Sequence, residues 1–251
     1  TDTAAVSGAQ QIINLLPICL KSCNSVTILG PTYNEYEKAF KSSGIKTQTV
    51  SEVSKLSSSD IAIIVNPNNP TGKVIADETL EDLSKKVRIL IIDESFKMFS
   101  SRRTLNFSNI IQINSLGKFF GLAGVRLGFV SGPSDFIKAV KEMLGPWPVS
   151  SLAAEIGIVA LNDRVWISEM EKILVTESNA LHEACNSRNW ELVGRTSLFH
   201  TYATSSCLEV EKQFAAHGIW VRTFDYSETW VRLGIPTSEH VWERVKQALN
   251  Q

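Results

Sequence analysis

Of the residues in this 251-residue chain, Lys118 is the one best placed to do chemistry. It lies in Ser115-Leu116-Gly117-Lys118-Phe119-Phe120-Gly121-Leu122-Ala123-Gly124-Val125-Arg126, where small residues let backbone and ligand approach closely. A lysine amine forms imines with carbonyl compounds. Ser115 and Arg126, the latter eight positions beyond the lysine, can both bind an anion. A lysine, a hydroxyl and an arginine around one pocket point to an aldehyde cofactor that carries a phosphate.

Further candidates are spread along the chain. Gly8-Ala9-Gln10-Gln11 opens a helix, so the amides of Ala9 and Gln10 face out of its N-terminus, either as a phosphate seat or as a plain helix start. Tyr33 follows the turn Pro31-Thr32 and either stacks on a flat ring or packs locally. Asn66-Pro67-Asn68-Asn69-Pro70-Thr71-Gly72 is a rigid loop presenting amide side chains at the C-terminal end of an apolar strand, where open α/β sheets bind ligands. Asp93 ends another apolar strand. A lone buried carboxylate is costly, so Asp93 either caps a turn or pairs with a cation. Arg222 and Arg232 each follow apolar residues in strand-like runs, and such arginines are either solvated or, where buried, matched to an anion.

Hydrophobic periodicity gives the elements that must position these groups. It predicts strands at 25–30, 46–50, 61–65, 89–92, 109–114 and 126–130. Helices are predicted over 9–20, through Tyr36 to Phe40, and over 77–87, 134–145, 151–161 and 163–187. Residues 1–7 read as small and polar, and 51–60 as a surface connection. In the longest helix Trp166, Met170, Ile173, Leu174 and Leu181 recur at helical spacing and read as core. Strand and helix alternate long enough to imply a mostly parallel α/β sheet. Beyond Trp190 the texture changes to short strands at 191–194, 198–204, 219–222 and 230–235. A helix at 206–216 and a last helix capped by Thr237 or Ser238 complete a small α+β domain.

Composition narrows the partners. Lys and Arg together number 25 against 26 Asp and Glu, with no basic tract, which argues against nucleic acid or an anionic membrane surface as a partner and for a small-molecule ligand. The four cysteines show no metal-ligand spacing, and a 43% hydrophobic chain of this size can pack without disulfides. Leu15-Leu16-Pro17-Ile18-Cys19-Leu20 belongs to an apolar run too short to span a bilayer and preceded by no charged signal region, so a cytoplasmic location is expected.

Taken in order, Gly-Ala-Gln at a helix start, Pro-Thr-Tyr, Asn-Pro-Asn-Asn-Pro-Thr-Gly, Asp-Glu-Ser-Phe, Ser-x-Gly-Lys and the following Arg126 resemble the fold-type-I pyridoxal-phosphate enzymes, the aspartate aminotransferase superfamily. Ser-Leu-Gly-Lys-Phe-Phe-Gly-Leu-Ala-Gly-Val-Arg and Trp-Val-Arg-Leu-Gly-Ile-Pro look most like the threonine-phosphate decarboxylases of cobalamin biosynthesis, relatives of the histidinol-phosphate aminotransferases. The resemblance implies a three-layer α/β large domain over 1–165 with a mostly parallel sheet, a smaller α+β domain over 166–251, and a homodimer. It implies that Lys118 holds pyridoxal 5'-phosphate covalently and later moves protons at the substrate Cα. By the same likeness Asp93 would pair with the pyridinium nitrogen, Asn69 with the 3-oxygen and Tyr33 with the ring face. Ala9, Gln10, Ser115 and Arg126 would hold the phosphate, and Arg232 the substrate carboxylate. Arg222 is read beside it as a residue that could help Arg232 bind a substrate phosphate and carboxylate. The activity implied is a decarboxylating lyase, or alternatively an aminotransferase or an incompetent fragment of either. Two departures from the family pattern stand out. Phe96 occupies a position where many aminotransferases place a tyrosine, and the N-terminal segment that members carry before the phosphate-binding helix is absent from this sequence.

Overall fold

The computed structural model describes residues 2–103, 105 and 108–250. The chain divides into two units, one of Thr1–Asn69 and Val74–Arg164, the other of Pro70–Lys73 and Val165–Gln251.

The first unit is built on seven strands: β1 (Asp2–Val6), β2 (Ser25–Leu29), β3 (Lys46–Val50), β4 (Ile61–Val65), β5 (Ile89–Asp93), β6 (Ile110–Ser115) and β7 (Gly128–Gly132). Their order across the sheet is β1-β7-β6-β5-β4-β2-β3. Strands β3, β2, β4, β5 and β6 run parallel, while β7 is antiparallel to both β6 and β1. Helices α1 (Ala9–Cys19), α2 (Glu35–Ser42) and α4 (Ser134–Leu144) pack with Ile61, Ile63, Ile91 and Ile111 on one face. Helix α3 (Asp77–Ser84) and a short 3-10 helix at Val53–Ser58 cover Ala62, Ile64, Leu90 and Ile92 on the other. Burial on both faces explains why the central strands are apolar at every position instead of alternating. Helix α5 (Ser151–Asn162), N-capped by the Ser150 hydroxyl accepting from Ala153 N–H, follows α4.

Three expectations are corrected. Residues 2–6 form strand β1, which is invisible to periodicity because four of its five residues are small or polar and its order comes from pairing with β7. The run 126–130 is not one strand. Arg126 lies in the left-handed region at φ 58°, after a 3-10 turn at Ala123–Val125, and β7 begins only at Gly128. The connection 51–60 is not wholly superficial, since Leu56 is fully buried.

In the second unit β8 (Glu191–Arg195), β9 (Phe199–Ala203), β10 (Arg222–Phe224) and β11 (Ser227–Gly234) form an antiparallel sheet in the order β10-β11-β9-β8. Helices α6 (Arg164–Cys185), α7 (Cys207–Ala216) and α8 (Glu239–Leu249) cover it, burying Leu181, Phe214, Val231, Leu233 and Val245 together. Ser238 caps α8 by accepting from Val241 N–H. Leu181 is core as expected, but Ile173 is 50% exposed, so the apolar spacing of α6 overstates its buried stripe. The third strand starts at Arg222, where the sequence suggested 219–222. Among the described residues no helix is long and apolar enough to cross a membrane.

A buried polar cluster lies beneath this sheet. His200, without solvent exposure, bonds through Nε2 to the Ser178 hydroxyl at 2.8 Å and through Nδ1 to the Tyr202 hydroxyl at 3.1 Å. Burial, helped by Arg195 and His182, depresses its pKa from 6.5 to about 4. The unfolded chain therefore takes up this proton first as acid is added, so the stability linked to His200 is intact above pH 6.5 and is lost as pH falls toward 4. Thermal melts should show Tm falling over this range, and His200→Gln, which keeps a polar side chain but does not titrate, should fall less steeply. Parallel slopes for the two proteins would contradict the assignment.

Candidate active site

The candidate residues of the first unit converge because of strand direction. Strands β2, β4, β5 and β6 are parallel, so the segments leaving their C-terminal ends share one edge of the sheet: Tyr33, Asn69, Asp93 and Lys118. β7 enters the sheet at that edge two residues after Arg126, and β1 ends there two residues before Gly8, which Ala9 and Gln10 follow.

Asp93, 4% exposed, ends β5, the middle strand. Its carboxylate accepts from the Tyr36 hydroxyl at Oδ2 and from Ser95 N–H at Oδ1, both at 2.8 Å. Burial raises its pKa above the usual carboxylate value, against the opposing pull of those bonds and of the Lys118 charge. The Ser95 bond is the turn role expected of this residue. Among the described residues no ion pair to Asp93 is as short as 4 Å.

The anion seat is assembled around α1. This helix begins at Gly8, φ 78°, with no side-chain cap and no acidic residue in its first turn, so its positive end is unopposed. Gln11 Oε1 accepts from Ser7 N–H at 2.6 Å. Arg126 lies over Gly8 so closely that a Cβ there would meet its guanidinium. Its Nη1 donates to Ala123 O at 3.0 Å and its Nη2 to Ser7 O at 3.5 Å, and these anchors account for a non-glycine residue held at positive φ. A Cβ on Gly128 would stand 3.1 Å from Ala9 N, so β7 packs directly against the helix start. Ser115 Oγ, buried at the end of β6, accepts from Gly117 N–H at 3.0 Å and orders the first turn of the lysine loop.

Lys118 is exposed, and its ammonium lies over the Phe96 ring, 5.3 Å from the centroid. The Tyr33 hydroxyl donates to Gln10 Oε1 at 3.0 Å, which links the ring to the helix start. This donor set suits a flat ring with a phosphate at one end and a cationic nitrogen at the other: an uncapped helix N-terminus with an arginine, then a buried acid, then an amine. Arg222 and Arg232 belong to the second unit, where they stand directly opposite each other on β10 and β11. The Arg232 guanidinium rests over the Phe199 ring at 5.1 Å. Burial first, and then the Arg222 charge, lower its pKa.

Sequence reasoning missed Tyr36, whose place in an apolar stripe hid the use of its hydroxyl, and Ser95, which the Asp-x-Ser spacing could have revealed.

Residues 1–249 match the family described as aminotransferase class I and II. A threonine-phosphate decarboxylase of Pseudomonas aeruginosa is 33% identical over 97% of this chain and 76% of its own. A histidinol-phosphate aminotransferase of Buchnera aphidicola is 27% identical over 69% of this chain and 55% of its own. In structure, the histidinol-phosphate aminotransferase from Clostridium acetobutylicum superposes with a TM-score of 0.86 at 23% identity, covering 98% of this chain and 82% of that one.

Removing the Tyr36 hydroxyl leaves a buried charged acceptor with one donor fewer. Tyr36→Phe should raise the Asp93 pKa further and cost about 1.5–3 kcal/mol in denaturant unfolding near neutral pH. A loss below about 0.5 kcal/mol would show that this bond does not hold the carboxylate.

Proposed function

Because this chain belongs to the class I and II aminotransferase family, whose members depend on pyridoxal phosphate, we propose that it decarboxylates L-threonine O-3-phosphate to aminopropanol phosphate in cobalamin biosynthesis. The observation that carries this reading is the Arg222–Arg232 pair. Like charges set directly opposite on neighbouring strands repel, and the lowered Arg232 pKa reflects burial first and then that repulsion. A substrate bearing both a phosphate and a carboxylate relieves it, with planar guanidinium forks matched to oxyanions.

When bound, pyridoxal phosphate supplies an electron sink for the pair released from a Cα bond. The chain's own residues do the rest. Ala9 and Gln10 N–H, Ser115 and Arg126 hold the phosphate, and Tyr33 covers the ring face. Asn69 donates to the 3-oxygen. Asp93 keeps a proton on the ring nitrogen, and Lys118 carries the cofactor and then delivers a proton to Cα as CO2 leaves. A substrate held chiefly through its phosphate would leave its carboxylate able to depart as CO2, the bound cofactor taking up the electron pair. This supports loss of CO2 over loss of the Cα proton, as does the higher identity and coverage of the decarboxylase relative.

A second reading, an aminotransferase acting on histidinol phosphate, draws on the other relatives; that substrate carries a phosphate and no carboxylate, so it would engage the arginine pair through one anion only. We also read the protein as a cytoplasmic homodimer. Trp147, 88% exposed, together with the exposed Leu152 and Val159, leaves an apolar surface on the first unit that a second copy can cover.

Incubation with O-phospho-threonine should release CO2 with no keto acid added. Glutamate formation from histidinol phosphate and 2-oxoglutarate, with no CO2 from the first mixture, would overturn the decarboxylase in favour of the aminotransferase.

A further inference from the structure

The hairpin that joins β10 to β11 is closely fastened. Ser227 Oγ accepts from Trp230 N–H at 3.0 Å and from Thr229 N–H at 3.3 Å, which closes the turn from inside. Ser227 O accepts from the Cys207 thiol at the start of α7, and Thr229 O from the N–H and hydroxyl of Thr204, just after β9. Tyr226 lies in this turn. Its ring stacks on Phe224, with centroids 5.4 Å apart and 26° between the planes, and meets Trp230 edge-on at 6.2 Å. A ring clamped in this way has little freedom left to lose when a ligand binds.

The clamp sets Tyr226 on the face of the sheet that carries the arginines. Residues directly opposite each other across a strand pair share a face, and alternate residues of one strand return to it. Trp230 and Arg232 stand opposite Ala203 and Thr201, and Arg222 stands opposite Arg232. Val231 and Leu233 alternate with them and enter the core on the helix-covered side. Tyr226, packed against Trp230, is thus on the same face as both guanidinium groups, and it is 54% exposed. The electrostatics agree with this placement. Burial raises the phenol pKa to about 12 against the opposing pull of the Arg232 and then the Arg222 charge, so the hydroxyl keeps its proton at neutral pH and can donate it.

We propose that Tyr226 is a substrate-binding residue whose hydroxyl donates to the phosphate of a substrate engaged by Arg222 and Arg232. The proposal rests on the reading above that the arginine pair takes the substrate's anions. A phosphate monoester presents three acceptor oxygens, more than one guanidinium fork satisfies. A neutral hydroxyl adds a donor without adding to the repulsion between the two arginines.

The test is calorimetric binding of inorganic phosphate to the full chain loaded with pyridoxal phosphate, with a thermal melt of each variant. Tyr226→Phe should weaken phosphate binding about tenfold, the loss of one hydrogen bond to a charged group. Its Tm should match wild type, because the ring and its stacking remain. Arg222→Gln and Arg232→Gln should each weaken binding more. With O-phospho-threonine as substrate, Tyr226→Phe should raise KM and leave kcat little changed, as expected of a group that binds the substrate away from the bond that breaks. Phosphate bound as tightly by Tyr226→Phe as by wild type, with both arginine variants weakened, would overturn the proposal and leave Tyr226 a packing residue. Phosphate binding that is absent from wild type, or unmoved by both arginine substitutions, would instead overturn the underlying reading of the arginine pair, and the proposal with it.

Discussion

A carboxylate held at the end of a strand that is buried on both faces sets the terms for the first unit. Asp93 lies on the middle strand of seven, and its burial is unfavourable enough to raise its own pKa. Hydrogen bonds from Ser95 and the Tyr36 hydroxyl offset part of that cost, and the nearby Lys118 charge a smaller part. Such a group is retained where a cation is to be stabilised. The surroundings are consistent with this. The same edge that carries Asp93 carries the lysine loop, the asparagine loop and an uncapped helix start, because parallel strands deliver all their C-terminal ends to one side.

The parts legible in the sequence were those whose physics is local. Ile61–Val65 and Ile89–Asp93 are apolar at every position before the last because helices cover both faces, and a run of that kind is visible without a structure. The helix behind Gly8 announced itself through its apolar stripe. The parts not legible depend on partners distant in the chain. β1 is ordered by pairing with β7, more than a hundred residues away, and nothing in Asp2–Val6 foretells it. Arg126 continues an apolar run on paper, yet its guanidinium is anchored to Ser7 O and Ala123 O, and the backbone turns left-handed to bring it there. Residues 70–72 read as the end of one continuous turn, yet they group with the second unit, where the Thr201 hydroxyl donates to Pro70 O. Tyr36 shows that an aromatic in a core stripe can hold the site through its polar atom while its ring packs.

The second unit contributes a different kind of tension. Arg222 and Arg232 are opposed across an antiparallel pair, with the Phe199 ring beneath one of them. Val231 and Leu233, on either side of Arg232 in β11, pack into the core of this unit.

The central claim is that Lys118 carries the cofactor. Borohydride reduction of the loaded protein followed by peptide mass mapping tests it most directly, because reduction fixes the lysine-bound cofactor as a stable amine. The account predicts a phosphopyridoxyl mass on the peptide containing Lys118 and on no other lysine peptide. A label on any other lysine, with the Lys118 peptide unmodified, would contradict it.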